Sequence, residues 1–136
     1  MLENDQIDVG LVPVAILPSM KEFHIISDYC IGCDGPVESV AIFSENPLEK
    51  VSTIMLDYQS RTSVMLGRIL VKNFWKLDPE YKNAEGENFL MNIRGDVAGL
   101  VIGDRALMQK KHSKYMYDLG EAWKSYTGLP FVFATW

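Results

Sequence analysis

Hydroxyl-bearing and basic side chains follow a short apolar run in the stretch DYQSRTS, residues 57–63. Ser60 occupies the position of a helix N-cap, and Arg61, Thr62 and Ser63 fall in the first helical turn. The free N–H groups of that turn, the positive end of the helix dipole, the hydroxyls and the guanidinium together could hold a carboxylate or a phosphate. The commoner alternative is that Ser60 only caps a helix and that Arg61 faces water.

Like DYQSRTS, the stretch IGDRAL, residues 102–107, is a corner at which a predicted strand turns into a predicted helix, here through a Gly-Asp pair. Gly103 permits the backbone to approach a ligand closely, and Asp104 can cap the helix and face the same crevice. Ligands of open α/β sheets collect at the carboxyl ends of strands, where both corners would lie. Capping alone is the safer interpretation of Asp104.

Both cysteines of the chain, Cys30 and Cys33, stand in a C-x-x-C spacing within YCIGCDGPVESV, residues 29–40. A redox dithiol needs its first cysteine at a helix N-terminus, but the Asp-Gly-Pro that follows here bends or breaks a helix. A structural zinc site needs four ligands, and the two histidines of the chain are not in finger spacing. We therefore expect small buried thiols in a strand, without a redox or metal role.

Length and charge limit the class of protein. The chain has 136 residues, enough for one domain or a piece of a larger protein, and its net charge of −5 argues against a nucleic-acid partner. No apolar run reaches the roughly 20 residues of a membrane span, and the first residues lack the features of a signal peptide. The sequence predicts a cytoplasmic protein without a membrane partner, and it gives no indication of oligomeric state.

Short apolar runs separated by helical patterns predict an α/β fold. The most secure helix covers residues 60–75, and its apolar side chains recur at helical spacing. The predicted strands are residues 7–14, 23–32, 37–44, 52–58, 97–103 and 131–136, and shorter helices are predicted at 87–93, 104–112 and 120–127.

The two ends of the chain are unusual. Residues 2–14 read as the last turn of a helix that runs into a buried strand, and the chain closes on the apolar run FVFATW. Because an uncovered core strand exposes ladder groups and apolar faces, we expect a segment to be missing on both sides.

Five motifs occur in order: DVGLVPVAILP, CDGPVESVAIFS, LDYQSRTSV, VIGDRAL and YDLGEAWKSYTGLPFVFATW. Together they resemble chorismate dehydratase of the futalosine route to menaquinone, over nearly the whole chain. The resemblance implies a cytosolic protein with the fold of type II periplasmic binding proteins, in which two α/β lobes joined by crossing strands enclose the ligand. Residues 1–43 would then form part of lobe one and the outgoing hinge strand, 44–116 lobe two, and 117–136 the return to lobe one. Family members also have a first strand with a Y-L-N loop and closing helices that this chain does not contain.

The implied reaction removes water from chorismate, a dicarboxylate, to give 3-[(1-carboxyvinyl)oxy]benzoate, and it implies no metal or organic cofactor. On this resemblance, Ser39 places a hydroxyl beside the reacting ring, after the turn at Gly35 and Pro36 that leads into the crossover. The base is either Asp104 or a carboxylate of the substrate. The residues that would bind substrate are Gly35, Pro36, Ser60, Arg61, Thr62, Ser63 and Gly103.

Two other functions remain open from the sequence. One is the enzyme of the same pathway and fold that releases dihydroxynaphthoate from a cyclised futalosine derivative, which shares the DLGE-x-W and TGLP motifs. The other is a non-catalytic protein of the same fold that holds a carboxylate in its cleft.

Overall fold

The computed structural model describes residue 2, residues 6–84 and residues 86–136. Within these residues, eight strands pair into two sheets, with three α-helices and several short 3-10 helices. The strands are β1 (Val12–Pro13), β2 (Cys30–Cys33), β3 (Val40–Ser44), β4 (Thr53–Leu56), β5 (Glu80–Asn83), β6 (Val97–Ile102), β7 (Tyr115–Asp118) and β8 (Phe131–Thr135). The α-helices are α1 (Arg61–Asn73), α2 (Asp104–Gln109) and α3 (Leu119–Thr127), and the 3-10 helices are Val14–Ser19, Leu48–Lys50 and Glu87–Asn92.

The larger sheet has five strands in the order β5-β4-β6-β3-β7. β4 runs parallel to β5 and β6, and β3 runs antiparallel to β6 and β7. All five residues of β3 are buried, which is expected for a central strand covered on both faces. Its side chains alternate between two cores, because Ile42 packs with Leu66 and Leu70 of α1, whereas Phe43 packs with Phe89 of the 3-10 helix.

The smaller sheet is antiparallel, with β8 between β1 and β2. One face of β8 packs on α3, where the ring of Phe131 lies 5.2 Å from that of Trp123 and 4.7 Å from that of Phe133. Aromatic pairs at these separations and edge-to-face angles are favourable beyond their apolar area. The smaller sheet is thus attached to the larger one through α3.

The predicted α/β class and the predicted helix 60–75, seen as α1, are confirmed. Strands are also found within each predicted strand, but two predictions were too long. The predicted buried strand at 7–14 forms pairs only at Val12–Pro13, and the one at 23–32 only from Cys30 onward. Residues 6–9 are exposed rather than buried, and the expected helical turn before them falls largely on residues outside the described part of the chain.

Two helices and two strands also differ from the predictions. The helix predicted at 87–93 is the 3-10 helix Glu87–Asn92, and the one predicted at 104–112 ends as α2 at Gln109. Strands β5 and β7 were missed because both are short edge strands of four residues, and the sequence of β5, EYKN, is mostly polar. Edge strands often carry polar and charged residues, so the usual strand signal is weak there.

The carboxylate of Asp118 holds the two connections between the sheets together. It accepts hydrogen bonds from Val37 N at 3.1 Å and Glu38 N at 2.6 Å, in the 34–39 segment that leads from β2 to β3. It also accepts from Glu121 N at 3.0 Å and so caps α3, which leads from β7 to β8. Glu38 adopts a left-handed conformation, φ 59°, which is uncommon for a residue with a side chain.

Gly120 permits this close approach. A Cβ atom at Gly120 would collide with the carbonyl oxygen of Gly35 and lie 2.8 Å from the Cys33 sulfur. The first turn of α3 therefore packs directly on the backbone of the 34–39 segment.

Cys30 and Cys33 lie in strand β2, as predicted, and both thiols are free. The expectation that both are buried was wrong for Cys30, which is exposed because β2 is an edge strand of the smaller sheet. Cys33 is half-buried against Gly120. Burial, followed by the negative charge of Asp118, raises the pKa of the Cys33 thiol, and a hydrogen bond with the Phe131 backbone opposes this shift only in part.

We predict that Asp118→Ala lowers the free energy of unfolding by about 2–4 kcal/mol, because it removes an N-cap and leaves three N–H donors without their charged acceptor. Urea denaturation measures this loss. The matched control is Asp34→Ala, whose carboxylate makes an exposed ion pair with Lys124 at 2.6 Å and should contribute between about 0 and 1 kcal/mol. Equal stability of the two variants would contradict the role given to Asp118.

We also predict that iodoacetamide modifies Cys30 well before Cys33 in the folded protein at pH 8. A raised pKa leaves less Cys33 thiolate at a given pH, so its modification rate should keep rising beyond the usual thiol pKa of about 8.5. Mass spectrometry of time points across pH measures both rates, with protein unfolded in urea as the control that equalises them. Faster modification of Cys33 than of Cys30 in the folded state would show that its environment is misjudged.

Candidate functional site

Most of the predicted site residues lie at one end of the strands of the five-stranded sheet, and we call this end the sheet edge. The parallel strands β4 and β6 end at this edge, and the antiparallel β3 begins there, with Val40 paired to Ile102. Gly103 N donates a hydrogen bond to Ser39 O at 2.7 Å, which joins the two corners of the chain directly. α1 begins at the same edge, four residues after the end of β4.

Ser39 is half-buried and is held through its backbone, since its N–H donates to Val37 O at 2.7 Å. Within the described residues its hydroxyl makes no hydrogen bond. The neighbouring Glu38 side chain reaches instead toward Lys110, with 3.3 Å between Oε1 and Nζ. The backbone therefore holds Ser39 at the sheet edge, and no other described residue forms a hydrogen bond with its hydroxyl.

Gly35 and Pro36 make the turn that leads into the crossover. Gly35 is buried and has a φ of 110°, which a residue with a side chain rarely adopts. Pro36 is exposed. The carbonyl oxygen of Gly35 packs against Gly120 of α3. Gly35 therefore positions the crossover through α3, whereas Ser39 lies at the sheet edge.

Ser60 is the N-cap of α1, as predicted. Its hydroxyl oxygen accepts from Ser63 N at 3.1 Å and its hydroxyl donates to Ser63 Oγ at 2.8 Å. Thr62 and Ser63 are buried, whereas Arg61 is exposed. The Ser60 hydroxyl is therefore used within the helix turn, whereas Ser63 Oγ only accepts there and keeps its own proton. The donors available to an anion are this proton, the Arg61 guanidinium and the first N–H groups of α1.

The third hydroxyl bridges to another segment. Thr62 Oγ1 accepts a hydrogen bond from Ala15 N at 3.3 Å, which links α1 to the 3-10 helix Val14–Ser19 beside the smaller sheet. An apolar groove of about 420 Å³ lies between these two helices. It is lined by Val14, Ala15, Pro18, Ser19, Thr62, Met65, Leu66, Ile69 and Phe131.

A larger cavity of about 720 Å³ lies elsewhere, between residues 7–12, residues 17–26 and the end of β8. None of the predicted site residues lines it. We place the candidate site at the sheet edge and the groove beside Thr62, because the hydroxyls, the helix N-terminus and the corner residues converge there.

Asp104 does not cap α2, contrary to the expectation from sequence. The N-cap is Gly103, with a φ of 66° and no side-chain hydrogen bond, and Asp104 is the first residue of the helix. The left-handed conformation of Gly103 shifts the helix start by one residue. The Asp104 side chain is exposed, one residue beyond the N–H that binds Ser39 O.

Sequence reasoning missed a buried ion pair between Asp57 and Arg105. The Arg105 Nη2 atom lies 2.9 Å from Asp57 Oδ1 and 2.7 Å from Oδ2, and the Asp57 side chain has no exposed area. The two residues belong to the DYQSRTS and IGDRAL corners. A charged residue directly after a buried strand was the available signal, but nothing in the sequence identified its partner.

Neither a metal centre nor a membrane span is found in the described part of the chain. No group of three or more His, Cys, Asp or Glu side chains there could hold a metal ion. None of the helices there is both long and apolar enough to cross a bilayer.

Comparison with known proteins agrees with the resemblance drawn from the motifs. The whole chain, residues 1–136, matches the family model described as menaquinone biosynthesis. A chorismate dehydratase of Thermus thermophilus is 30% identical over 149 residues, which cover 95% of this chain and 54% of that protein. The chain thus spans about half the length of this curated relative. Because the family model covers every residue, we conclude that the protein is chorismate dehydratase-like and belongs to the menaquinone biosynthesis family.

Proposed function

We propose that the protein is a carbon–oxygen lyase that removes water from chorismate to give 3-[(1-carboxyvinyl)oxy]benzoate, in the cytoplasm, on the futalosine route to menaquinone. The observation that carries the proposal is the hydrogen bond from Gly103 N to the Ser39 carbonyl oxygen, which places Ser39 next to the Gly103 corner at the edge where α1 begins. The family match and the 30% identity to a chorismate dehydratase support it.

The proposal includes the two-lobed fold of type II periplasmic binding proteins. Lobe one would contain residues 1–43 with the outgoing hinge strand and residues 117–136 with the return, and lobe two would contain residues 44–116. In support, β1, β2 and β8 form one sheet, and β4, β5 and β6 lie in the other, which β3 and β7 join at the two boundaries between the segments. The substrate would lie between the lobes, at the edge described above.

Binding of the substrate would rely on local donors, because chorismate is a dianion and the chain carries a net charge of −5. In this proposal Arg61 and the first N–H groups of α1 bind one carboxylate. The apolar groove beside Thr62 accommodates the carbon framework. The contact between Thr62 and Ala15 spans this groove at one end, so a small opening of the two segments would admit the ligand.

The reaction breaks the C3–H and C4–O bonds of chorismate and forms a C3–C4 double bond that completes the aromatic ring. The C3 proton is acidified through the conjugated ring carboxylate, so removal of the proton can precede loss of the hydroxyl. We assign Asp104 to removal of the C3 proton and to its delivery to the 4-hydroxyl, which then leaves as water, and we assign Ser39 to a hydrogen bond that assists this departure. Hydrogen-bond donors at the ring carboxylate stabilise the dienolate charge that develops between the two steps.

The experiment that tests the function is incubation of the purified protein with chorismate, followed by liquid chromatography and mass spectrometry of the products. We expect loss of one water and appearance of the aromatic dicarboxylate. A parallel incubation with the cyclised futalosine derivative tests the dihydroxynaphthoate-releasing alternative. Binding of chorismate without any product would instead support a non-catalytic carboxylate-binding protein.

We predict that Ser39→Ala lowers kcat for chorismate by about 100-fold, the typical cost of removing one donor to a developing oxyanion. Steady-state kinetics measure the effect. Ser125→Ala is the control, because Ser125 is exposed on α3 away from the sheet edge. Turnover of Ser39→Ala close to that of the unchanged protein would remove Ser39 from the mechanism.

We predict that Asp104→Asn lowers kcat by about 100-fold or more if Asp104 is the base, since general bases contribute on that scale. The control is Asp78→Asn. Asp78 is exposed and precedes β5, so it lies at the opposite end of the strands from Asp104. Retained activity in Asp104→Asn would assign proton removal to a carboxylate of the substrate.

A further inference from the structure

Asp57 and Arg105 form a charged contact in the interior, directly behind the candidate site. Asp57 is 2% exposed and follows β4, and the Arg105 side chain, 18% exposed, belongs to the first turn of α2. A carboxylate removed from water is costly unless it is paired and hydrogen-bonded. Arg105 supplies the charge that makes this burial tolerable.

The same carboxylate joins two backbone segments. Asp57 Oδ1 accepts from Gln59 N at 2.9 Å, in the segment that leads to the α1 N-cap. Asp57 Oδ2 accepts from Ile102 N at 3.3 Å, at the end of β6. One buried anion therefore fixes the start of α1 relative to the Gly103 corner, whose N–H in turn holds Ser39.

Arg105 is itself held in place. Its guanidinium carbon lies 5.4 Å from the centre of the Tyr58 ring and 5.8 Å from that of Phe89. These separations are within the range of cation–π attraction. The planar guanidinium can contact rings and carboxylate together, whereas the compact ammonium of a lysine would satisfy the carboxylate alone.

We propose that Arg105 is a positioning residue which, through Asp57, sets the distance between the anion-binding start of α1 and the Ser39 hydroxyl. The inference rests on the proposed function for the identity of the ligand, chorismate. It assigns Arg105 no contact with the substrate. Displacement of the 59–63 segment should therefore weaken binding more than it slows the chemical step.

The test uses the whole chain with Arg105→Met, Arg105→Lys and the control Arg68→Met. Arg68 is exposed on α1 and also lies over an aromatic ring, at 4.8 Å from the centre of Tyr81, but it is absent from the sheet edge. Hydrogen–deuterium exchange at the Gln59 and Ile102 amides reports the contact directly. Calorimetric titration with chorismate gives Kd, and steady-state assays give kcat.

For Arg105→Met we expect exchange at the two amides to accelerate by about tenfold or more, and Kd to rise by about tenfold or more while kcat falls less. Arg105→Lys should lie between Arg105→Met and the unchanged protein, and Arg68→Met should match the latter. If Arg105→Met does not fold, Arg105→Lys and Asp57→Asn carry the same comparison.

Unchanged exchange and Kd in Arg105→Met would overturn the inference, as would a loss of kcat with an unchanged Kd, which would indicate direct participation in the reaction. The two proposals can fail separately. If the unchanged protein binds chorismate without converting it, the proposed function fails, but the effect of Arg105 on Kd still decides the inference. If it does not bind chorismate, both are wrong.

Discussion

The hydrogen bonds to the Asp118 carboxylate are the constraint on which the rest of the arrangement depends. The chain passes between its two sheets twice, through residues 34–39 and through α3, and Asp118 binds N–H groups of both passages. Gly120 lets the two backbones touch. Because Ser39 ends the first passage, its position depends on the hydrogen bonds of Asp118 and on the close approach at Gly120.

The candidate site combines a half fixed by a buried ion pair with a half joined by one long hydrogen bond and an apolar groove. The buried contact of Asp57 with Arg105 fixes the ends of β4 and β6 to each other. In contrast, α1 meets the 3-10 helix Val14–Ser19 through a 3.3 Å hydrogen bond to Thr62 and an apolar groove. The proposed function requires such a combination, since groups that act on a substrate must stay in register while the substrate enters.

Local signals in the sequence were sufficient for the elements whose stability is local. Helix α1 was predicted from its N-cap Ser60 and its apolar spacing, and β3 and β6 from short continuous apolar runs, which are typical of strands covered on both faces. Strands β5 and β7 could not be predicted in this way, because their positions depend on pairing with β4 and β3 across the sheet. The roles of Asp118 and Asp57 were also missed, since their partners lie some 80 and 45 residues away along the chain.

In the proposed function, a dicarboxylate binds at the edge formed by Ser39, α1 and the Gly103 corner. Titration of the isotope-labelled protein with 3-[(1-carboxyvinyl)oxy]benzoate, followed by amide chemical shifts in nuclear magnetic resonance spectra, tests this most directly. We expect the largest changes in chemical shift at residues 39, 60–63 and 103–104. Changes confined to the part of the larger cavity formed by residues 7–12 and 20–26 would contradict this placement.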